Sequence, residues 1–257
     1  FSETIKDKSG KEVVFEQTGT KLANVGKIII KADGTITHEN VDLNTVEPDA
    51  EAAAYIQTIT DKFDALQKQV VAKTSVELTI NGADGKRAVR NAETNLGDLC
   101  ADAYRILLGA DIAFVNGGGV RDNIKVGDIT YGDIIKVHPF GNEACLVEVT
   151  GQQIKDALEL GSAAYPGESG GFLQVSGLTY TINADIPSSV VKNDKSEFVK
   201  VDGAYRVSDI MVGGQPLDVS KTYTLASHNY MLKDAGDGYT MFGTKNVKLL
   251  KDGVMID

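Results

Sequence analysis

Asp111-Ile112-Ala113-Phe114-Val115 runs without a break into Asn116-Gly117-Gly118-Gly119-Val120-Arg121. The first five positions are a short apolar run with β-type residues and predict a buried strand. A buried strand that opens into three glycines presents backbone able to take positive φ and to lie against a ligand with no Cβ in the way. Asn116 and Arg121 bracket that bare backbone with an amide that donates and accepts and with a fixed five-donor fork. The combination suits a phosphate or a carbonyl-rich ligand, and equally a strand-ending glycine turn beside a surface arginine. It is not the dinucleotide fingerprint, because Gly-Gly-Gly lacks the G-x-G-x-x-G spacing and no helical pattern opens behind it.

The 257 residues are 42% hydrophobic and 24% charged, which suits a soluble globular chain of one large domain, or one domain with an appendage. A net charge of −10 and a pI near 4.8 argue against a nucleic-acid polymer as partner. An anionic ligand is then met by a few placed arginines rather than by a general field. The longest apolar runs fall far below the roughly 18 residues of a membrane span. The chain shows no signal peptide and starts at Phe1 rather than Met, so an upstream segment is expected to have been removed. Cys100 and Cys145 fit either a reduced buried pair or a single bridge. His38, His138 and His228 are scattered without metal-ligand spacing, and no metal site is expected in this chain.

Residues 1–46 read as β material. Glu12–Glu16 and Gly26–Lys31 are predicted strands, and Asp33-Gly34 before Thr35-Ile36-Thr37 is a hairpin signal. The piece is expected to finish a sheet that lies elsewhere. Pro48 and Asp49 stand where a helix start wants them, and Ile56, Ile59, Phe63, Leu66 and Val70 recur at helical steps, which predicts a helix from Asp49 to about Ala72. It reads as a rigid connector or as an ordinary surface helix. The main domain begins at Thr74, with Val76–Ile80 as its first strand and a basic loop carrying Arg87 and Arg90. Thr94 or Asn95 caps a helix whose expected inner face is Leu96, Leu99, Cys100, Ala103 and Leu107.

Beyond the glycines, Pro139-Phe140-Gly141 displays an aromatic ring between two backbone-restricted residues, placed either for stacking or for the core. Ala144–Val149 is a strand, and Thr150-Gly151-Gln152-Gln153 matches a capping box opening a helix with Ile154, Ala157 and Leu158 inward. Gly167–Gly171 is a loop before Phe172–Val175 and the strand Leu178–Ile182. Tyr205–Val212 and Thr222–Ala226 read as strands joined by a tight turn at Gly213-Gly214. In Gly236-Asp237-Gly238-Tyr239 the Asp-Gly pair is first a turn signal, and a carboxylate between two glycines is also placed to accept from a sugar diol. Strands alternating with helices at mixed spacing give an α/β (α+β) fold on a mixed β-sheet with flanking helices.

Asn95-Leu96-Gly97-Asp98-Leu99, Asn116–Arg121, Pro139-Phe140-Gly141, Gly171–Gly177 and Gly236–Tyr239 occur in one order, and together they resemble the C-terminal domain of the 5′-nucleotidase family over residues 74–243. The resemblance implies a division into terminal strands of a metallophosphoesterase domain (1–46), a linker helix (47–73) and a nucleoside-binding domain (74–257). It also implies a secreted, metal-dependent nucleotide hydrolase that is periplasmic, extracellular or on the cell surface. Two divalent ions of the Zn or Mn type are expected in the N-terminal metallophosphoesterase domain of the same polypeptide, and none here, so this chain alone is expected to be inactive. The implied ligand is a nucleoside 5′-monophosphate or a nucleoside. Carried over by position, Arg90 and Arg121 hold the phosphate, with Asn116 at the ribose–phosphate end and the Gly118-Gly119 backbone beside it. Phe140 and Tyr230 sandwich the base, Asp237 takes the ribose hydroxyls, and Gly170-Gly171 lies against the base edge. Two departures stand out: Tyr230 lies one residue further from Asp237 than is usual, and Ala235 replaces the first glycine of Gly-Gly-Asp-Gly. A non-catalytic nucleotide-binding module and a surface interaction protein reusing the fold are the alternatives.

Overall fold

The computed structural model describes residues 2–20, 22–243, 247–251 and 254–256. The chain divides into two units, 1–64 and 65–257. The first unit holds two antiparallel ribbons. One pairs β1 (Ser2–Lys6) with β2 (Glu12–Glu16), and the other pairs β3 (Asn24–Ile30) with β4 (Ile36–Asp42). The β3–β4 turn is the expected one at Asp33-Gly34, with Gly34 at a φ of 84° and Asp33 accepting from the Thr35 amide. Asp49 caps α1 (Ala50–Gln67) by accepting the Ala52 N–H at 2.8 Å. No residue of α1 is buried, and Ile56, Ile59, Phe63 and Leu66 stand exposed.

The helix stops short of the expected Ala72. From Val70 the chain is instead β5 (Val70–Thr74), paired antiparallel with β7 (Gly127–Thr130). The β-branched Val70 and Val71 suit a ladder better than a last helical turn. Val76–Ile80 is not a strand: only Leu78 bridges, to Ile124. Asn123 Oδ1 and Asn95 Oδ1 take the Ile80 and Thr79 amides, so side chains satisfy this backbone where a neighbouring strand would have done so.

Thr94, not Asn95, caps α2 (Asn95–Leu108), and a left-handed Gly109 ends it. Its buried face is Leu96, Gly97, Cys100 and Ala101, whereas Leu99, Ala103 and Leu107 are exposed. β6 (Ile112–Asn116) is buried at every position. A short helix that the sequence reading missed, α3 (Tyr131–Val137), follows β7 and opens on a Thr130–Asp133 capping box. β8 (Ala144–Thr150) leads through the expected Thr150–Gln153 capping box into α4 (Gly151–Ser162). There follow β9 (Leu173–Ser176), β10 (Leu178–Ile182), β11 (Val190–Lys192), β12 (Phe198–Val201), β13 (Val207–Val212) and β14 (Gln215–Pro216). β15 (Thr222–His228), α5 (Asn229–Leu232), β16 (Lys248–Lys251) and β17 (Val254–Ile256) complete the chain. The Gly213-Gly214 turn joins β13 to β14, not to β15, which belongs to a different sheet.

The main sheet has the order β17-β16-β8-β15-β6-β9 and is mixed: β15 and β6 are parallel, and every other neighbouring pair is antiparallel. Alternation along β6 serves two cores. Ile112 and Phe114 pack with α4, Val147 and Leu225, while Val115 packs on the other face with Leu96 and Cys100 of α2. The fold is thus the expected mixed sheet with flanking helices.

Gln174 on β9 ties the basic loop to the sheet. Its Oε1 accepts the Thr94 N–H at 3.0 Å, and its Nε2 donates to Val89 O at 3.1 Å and Ala92 O at 2.7 Å. Gln174→Leu keeps the bulk and leaves the buried Thr94 amide and Val89 carbonyl unpaired, so unfolding in urea is expected to show a loss of about 2–4 kcal/mol with little change in slope.

Candidate functional site

Sheet topology gathers the site at one edge. β15 runs parallel to β6, so both strands end there and release the Gly117–Gly119 turn and the Asn229–Asp237 segment side by side. β8 and β9 are antiparallel to them and begin at that edge: Ala144 pairs with His228 and Leu173 with Asn116. Their preceding loops, Phe140–Asn142 and Gly167–Gly171, therefore arrive at the same place. Ligand sites at the carboxyl ends of parallel strands follow the same logic in open α/β sheets.

The loops are bonded to one another. Gly117 and Gly118 donate their amides to Phe172 O at 2.7 Å and Gly170 O at 2.8 Å, and Ser169 donates to Arg90 O at 2.9 Å. A Cβ on Gly117 would lie 2.0 Å from Val89 O, so only glycine lets the turn approach the basic loop this closely. Arg87 grips Glu168 with two guanidinium nitrogens, a link between the basic loop and the glycine loop.

These loops enclose a cavity of about 340 Å³ lined by Arg90, Asn116, Gly118, Gly119, Phe140, Asn142, Gly170, Tyr230 and Asp237. Eight of the ten expected site residues are thus together. Arg121 is not in the lining; its Nη1 donates to Gly118 O at 3.3 Å and its Cζ sits 5.8 Å from the centre of the Phe140 ring, at the side of the cavity. Gly171 is buried behind the wall, and Gly170 takes the lining position. Asn142 carries no signal of its own in the sequence beyond its place after Pro139-Phe140-Gly141.

Asn116 Nδ2 donates to Asp237 Oδ2 at 2.7 Å, and the Tyr230 hydroxyl donates to Asp237 Oδ1 at 3.0 Å. The displaced Tyr230 therefore both walls the cavity and aims the carboxylate. In the lining residues two buried polar atoms have no partner among the described residues: Arg90 Nε, a donor, and Asn116 Oδ1, an acceptor. Burial, then the Arg87 and Arg121 charges, hold the Arg90 guanidinium below its ordinary range, so an anion in the cavity would be favoured. Ala235 and Asp237 both have left-handed backbone, with φ of 52° and 54°. Glycine would suit position 235, and alanine there holds on the order of 1 kcal/mol of strain.

Behind the wall the sequence reading missed His228. It is buried, stacked on Tyr230 with ring centres 6.1 Å apart, and neither ring nitrogen has a partner among the described residues. Burial, with His138 nearby, lowers its pKa to about 4. Cys100 and Cys145 are both free, and burial pushes each thiol up to about 12. Among the described residues no group of three or more His, Cys, Asp or Glu could hold a metal ion, and no helix is long and apolar enough to cross a membrane.

Residues 70–244 match the model of the 5′-nucleotidase C-terminal domain. The chain belongs to that family. Among the relatives of this 5′-nucleotidase C-terminal domain, the trifunctional nucleotide phosphoesterase protein YfkN of Bacillus subtilis is 34% identical over 241 residues, covering 90% of this chain and 14% of that protein. The 5′-nucleotidase of Vibrio parahaemolyticus is 35% identical over 170 residues, covering 64% of this chain and 27% of that protein. The crystal structure of a 5′-nucleotidase precursor from Thermus thermophilus superposes with a TM-score of 0.68 at 29% identity, over 99% of this chain and 49% of that one. The chain thus spans at most about half the length of these three relatives.

His228 offers a test of how the wall is held. It is neutral in the native state down to about pH 4, whereas in the unfolded chain it protonates near 6.5. Its contribution to stability is therefore full above pH 6.5 and lost as the pH falls toward 4, by up to about 3 kcal/mol. His228→Phe is expected to flatten that slope in denaturation midpoints measured between pH 7 and pH 4.

Proposed function

We propose that this chain is the substrate-binding part of a secreted, metal-dependent 5′-nucleotidase that hydrolyses nucleoside 5′-monophosphates to nucleoside and phosphate. The observation that carries the reading is one cavity lined by Arg90, Asn116, the Asp237 carboxylate and two aromatic rings, with Arg90 Nε and Asn116 Oδ1 buried and without a partner among the described residues. A nucleoside monophosphate complements each of these: an anion for the guanidinium, a hydroxyl for the free acceptor, a diol for Asp237 and a flat base for the rings.

In this reading Arg90 meets the phosphate from within the cavity and Arg121 from its side, where it also steadies Phe140. Charge-assisted bonds of this kind serve both ground-state binding and the charge that builds on the phosphoryl oxygens. Phe140 and Tyr230 hold the base by stacking, which is worth about 1–3 kcal/mol per aromatic and accepts different bases. Asp237 receives the ribose hydroxyls, with its orientation set by Asn116 and Tyr230. Among the described residues no group of three or more His, Cys, Asp or Glu could hold a metal ion. The hydrolytic chemistry is assigned to two divalent ions in a preceding metallophosphoesterase domain, of which residues 1–46 are the closing strands and α1 the link to the nucleoside-binding part. On its own the chain is inactive, and its setting is the periplasm, the cell surface or the medium.

Calorimetric titration of the 257-residue chain with adenosine and AMP, in chelator, tests this. Both ligands are expected to bind. Phe140→Ala should weaken both about 5- to 150-fold, and Arg90→Ala should weaken AMP far more than adenosine. A folded chain that binds neither, or a Phe140→Ala variant with unchanged affinity, would sink the proposal.

A further inference from the structure

The Gly236-Asp237-Gly238 stretch has a second side. Across Gly170 and Asp237, which line both, lies another cavity of about 410 Å³ whose polar lining includes Ser169, Lys192, Lys195, Ser196, Glu197 and Asp237. Its far wall is the β11–β12 hairpin, and the hairpin is firmly placed. Asn193 Oδ1 accepts the amides of Lys195 and Glu197, each at 3.0 Å, which sets the turn that carries Lys195 next to Lys192 at the end of β11. Thr240 Oγ1 donates to Phe198 O at 2.7 Å. Ser196 O lies so close to Gly238 that a Cβ there would come within 2.6 Å of it, so the hairpin rests directly on the residue after Asp237.

The formal charges of this lining balance, Lys192 and Lys195 against Glu197 and Asp237, but the hydrogen bonds do not. Glu197 accepts from Asn193 Nδ2 at 2.7 Å, so its carboxylate already has a partner. Both Asp237 oxygens take hydrogen bonds from the first cavity, from Asn116 and from Tyr230. Lys192 and Lys195 make no ion pair among the described residues, in a chain whose net charge is −10. Two lysines with no ion pair among the described residues thus line a polar space on the far side of Asp237, the residue proposed to receive the ribose hydroxyls.

Resting on the nucleotide reading above, we infer that this second cavity takes an anionic group carried on the 2′ or 3′ oxygen of the ribose, so that the preferred ligand class is the nucleoside bisphosphate. One hydroxyl keeps its bond to Asp237 while the phosphate on its neighbour passes beside Gly170 to Lys192, Lys195 and the hydroxyls of Ser169 and Ser196. The base and 5′-phosphate stay where a monophosphate has them.

The test compares AMP with adenosine 3′,5′-bisphosphate and adenosine 2′,5′-bisphosphate by calorimetry on the 257-residue chain and on its Lys192→Ala/Lys195→Ala variant. At least one bisphosphate is expected to bind about tenfold or more tightly than AMP, with an advantage that shrinks as salt rises. The double variant should erase that advantage and leave AMP binding unchanged, because both lysines are exposed and outside the first cavity. AMP binding with no gain for either bisphosphate overturns this inference and leaves the nucleotide reading intact. A gain that survives the double variant overturns it as well, since the second phosphate would then sit elsewhere. Absence of binding by all three removes the nucleotide reading and this inference with it.

Discussion

The 2.7 Å hydrogen bond from Asn116 to Asp237 joins residues 121 apart in the chain, and the cavity is built around it. It forms because β6 and β15 are parallel neighbours that end at one edge of the sheet. Asn116 is the last residue of β6, and Asp237 follows β15 after one turn of helix. Tyr230 fixes the other carboxylate oxygen, and His228 supports the Tyr230 ring from the core. A strand buried on both faces cannot slip without moving its whole apolar set to the wrong side. The position of Asn116 is therefore as well determined as the core that surrounds β6.

Several polar groups at this edge are held in costly states. An unpaired buried donor or acceptor costs on the order of 1–3 kcal/mol, and Arg90 Nε and Asn116 Oδ1 are both in that condition. Left-handed backbone at Ala235 and Asp237 adds strain at the same place. The supporting bonds lie one layer back: Gln174 on the backbone of the basic loop, Arg87 on Glu168, and the amides of Gly117 and Gly118 on the neighbouring loops. Local instability at the cavity is sustained by satisfied groups behind it. A chain of overall negative charge can in this way present cations at one spot.

Where one local force dominated, the sequence was a good guide to structure. β6 is an apolar run up to Asn116, the β3–β4 turn is an Asp-Gly pair, and the Thr150–Gln153 box opens α4 where its chemistry says it should. Where local forces were balanced, tertiary pairing decided. Val70–Thr74 left the α1 pattern because β7 offered a ladder, and Val76–Ile80 failed as a strand because Asn95 and Asn123 satisfied its amides. Leu99, Ala103 and Leu107 have helical spacing, yet α2 turns Gly97 and Ala101 to the sheet, since small residues permit the close approach that leucines would prevent. His228 was invisible because nothing in a single histidine shows that it will sit beneath an aromatic wall.

That Arg90, Asn116, Phe140, Tyr230 and Asp237 serve one site was implied by the family resemblance; by itself the sequence determined a mixed α/β domain and a buried strand that opens into Gly117–Gly119. Those are properties of residue types and short spacings, which act within a few positions of the backbone. Only the tertiary structure decided that the loops meet, that Gly170 rather than Gly171 faces the cavity, and that Arg121 stands beside it. It alone set the Lys192 and Lys195 hairpin against Gly238. The reason is the strand order. Whether a strand's end or its beginning reaches a given edge depends on which neighbour it pairs with and in which direction. That choice is made by the burial of whole faces across distant segments, not by any one stretch.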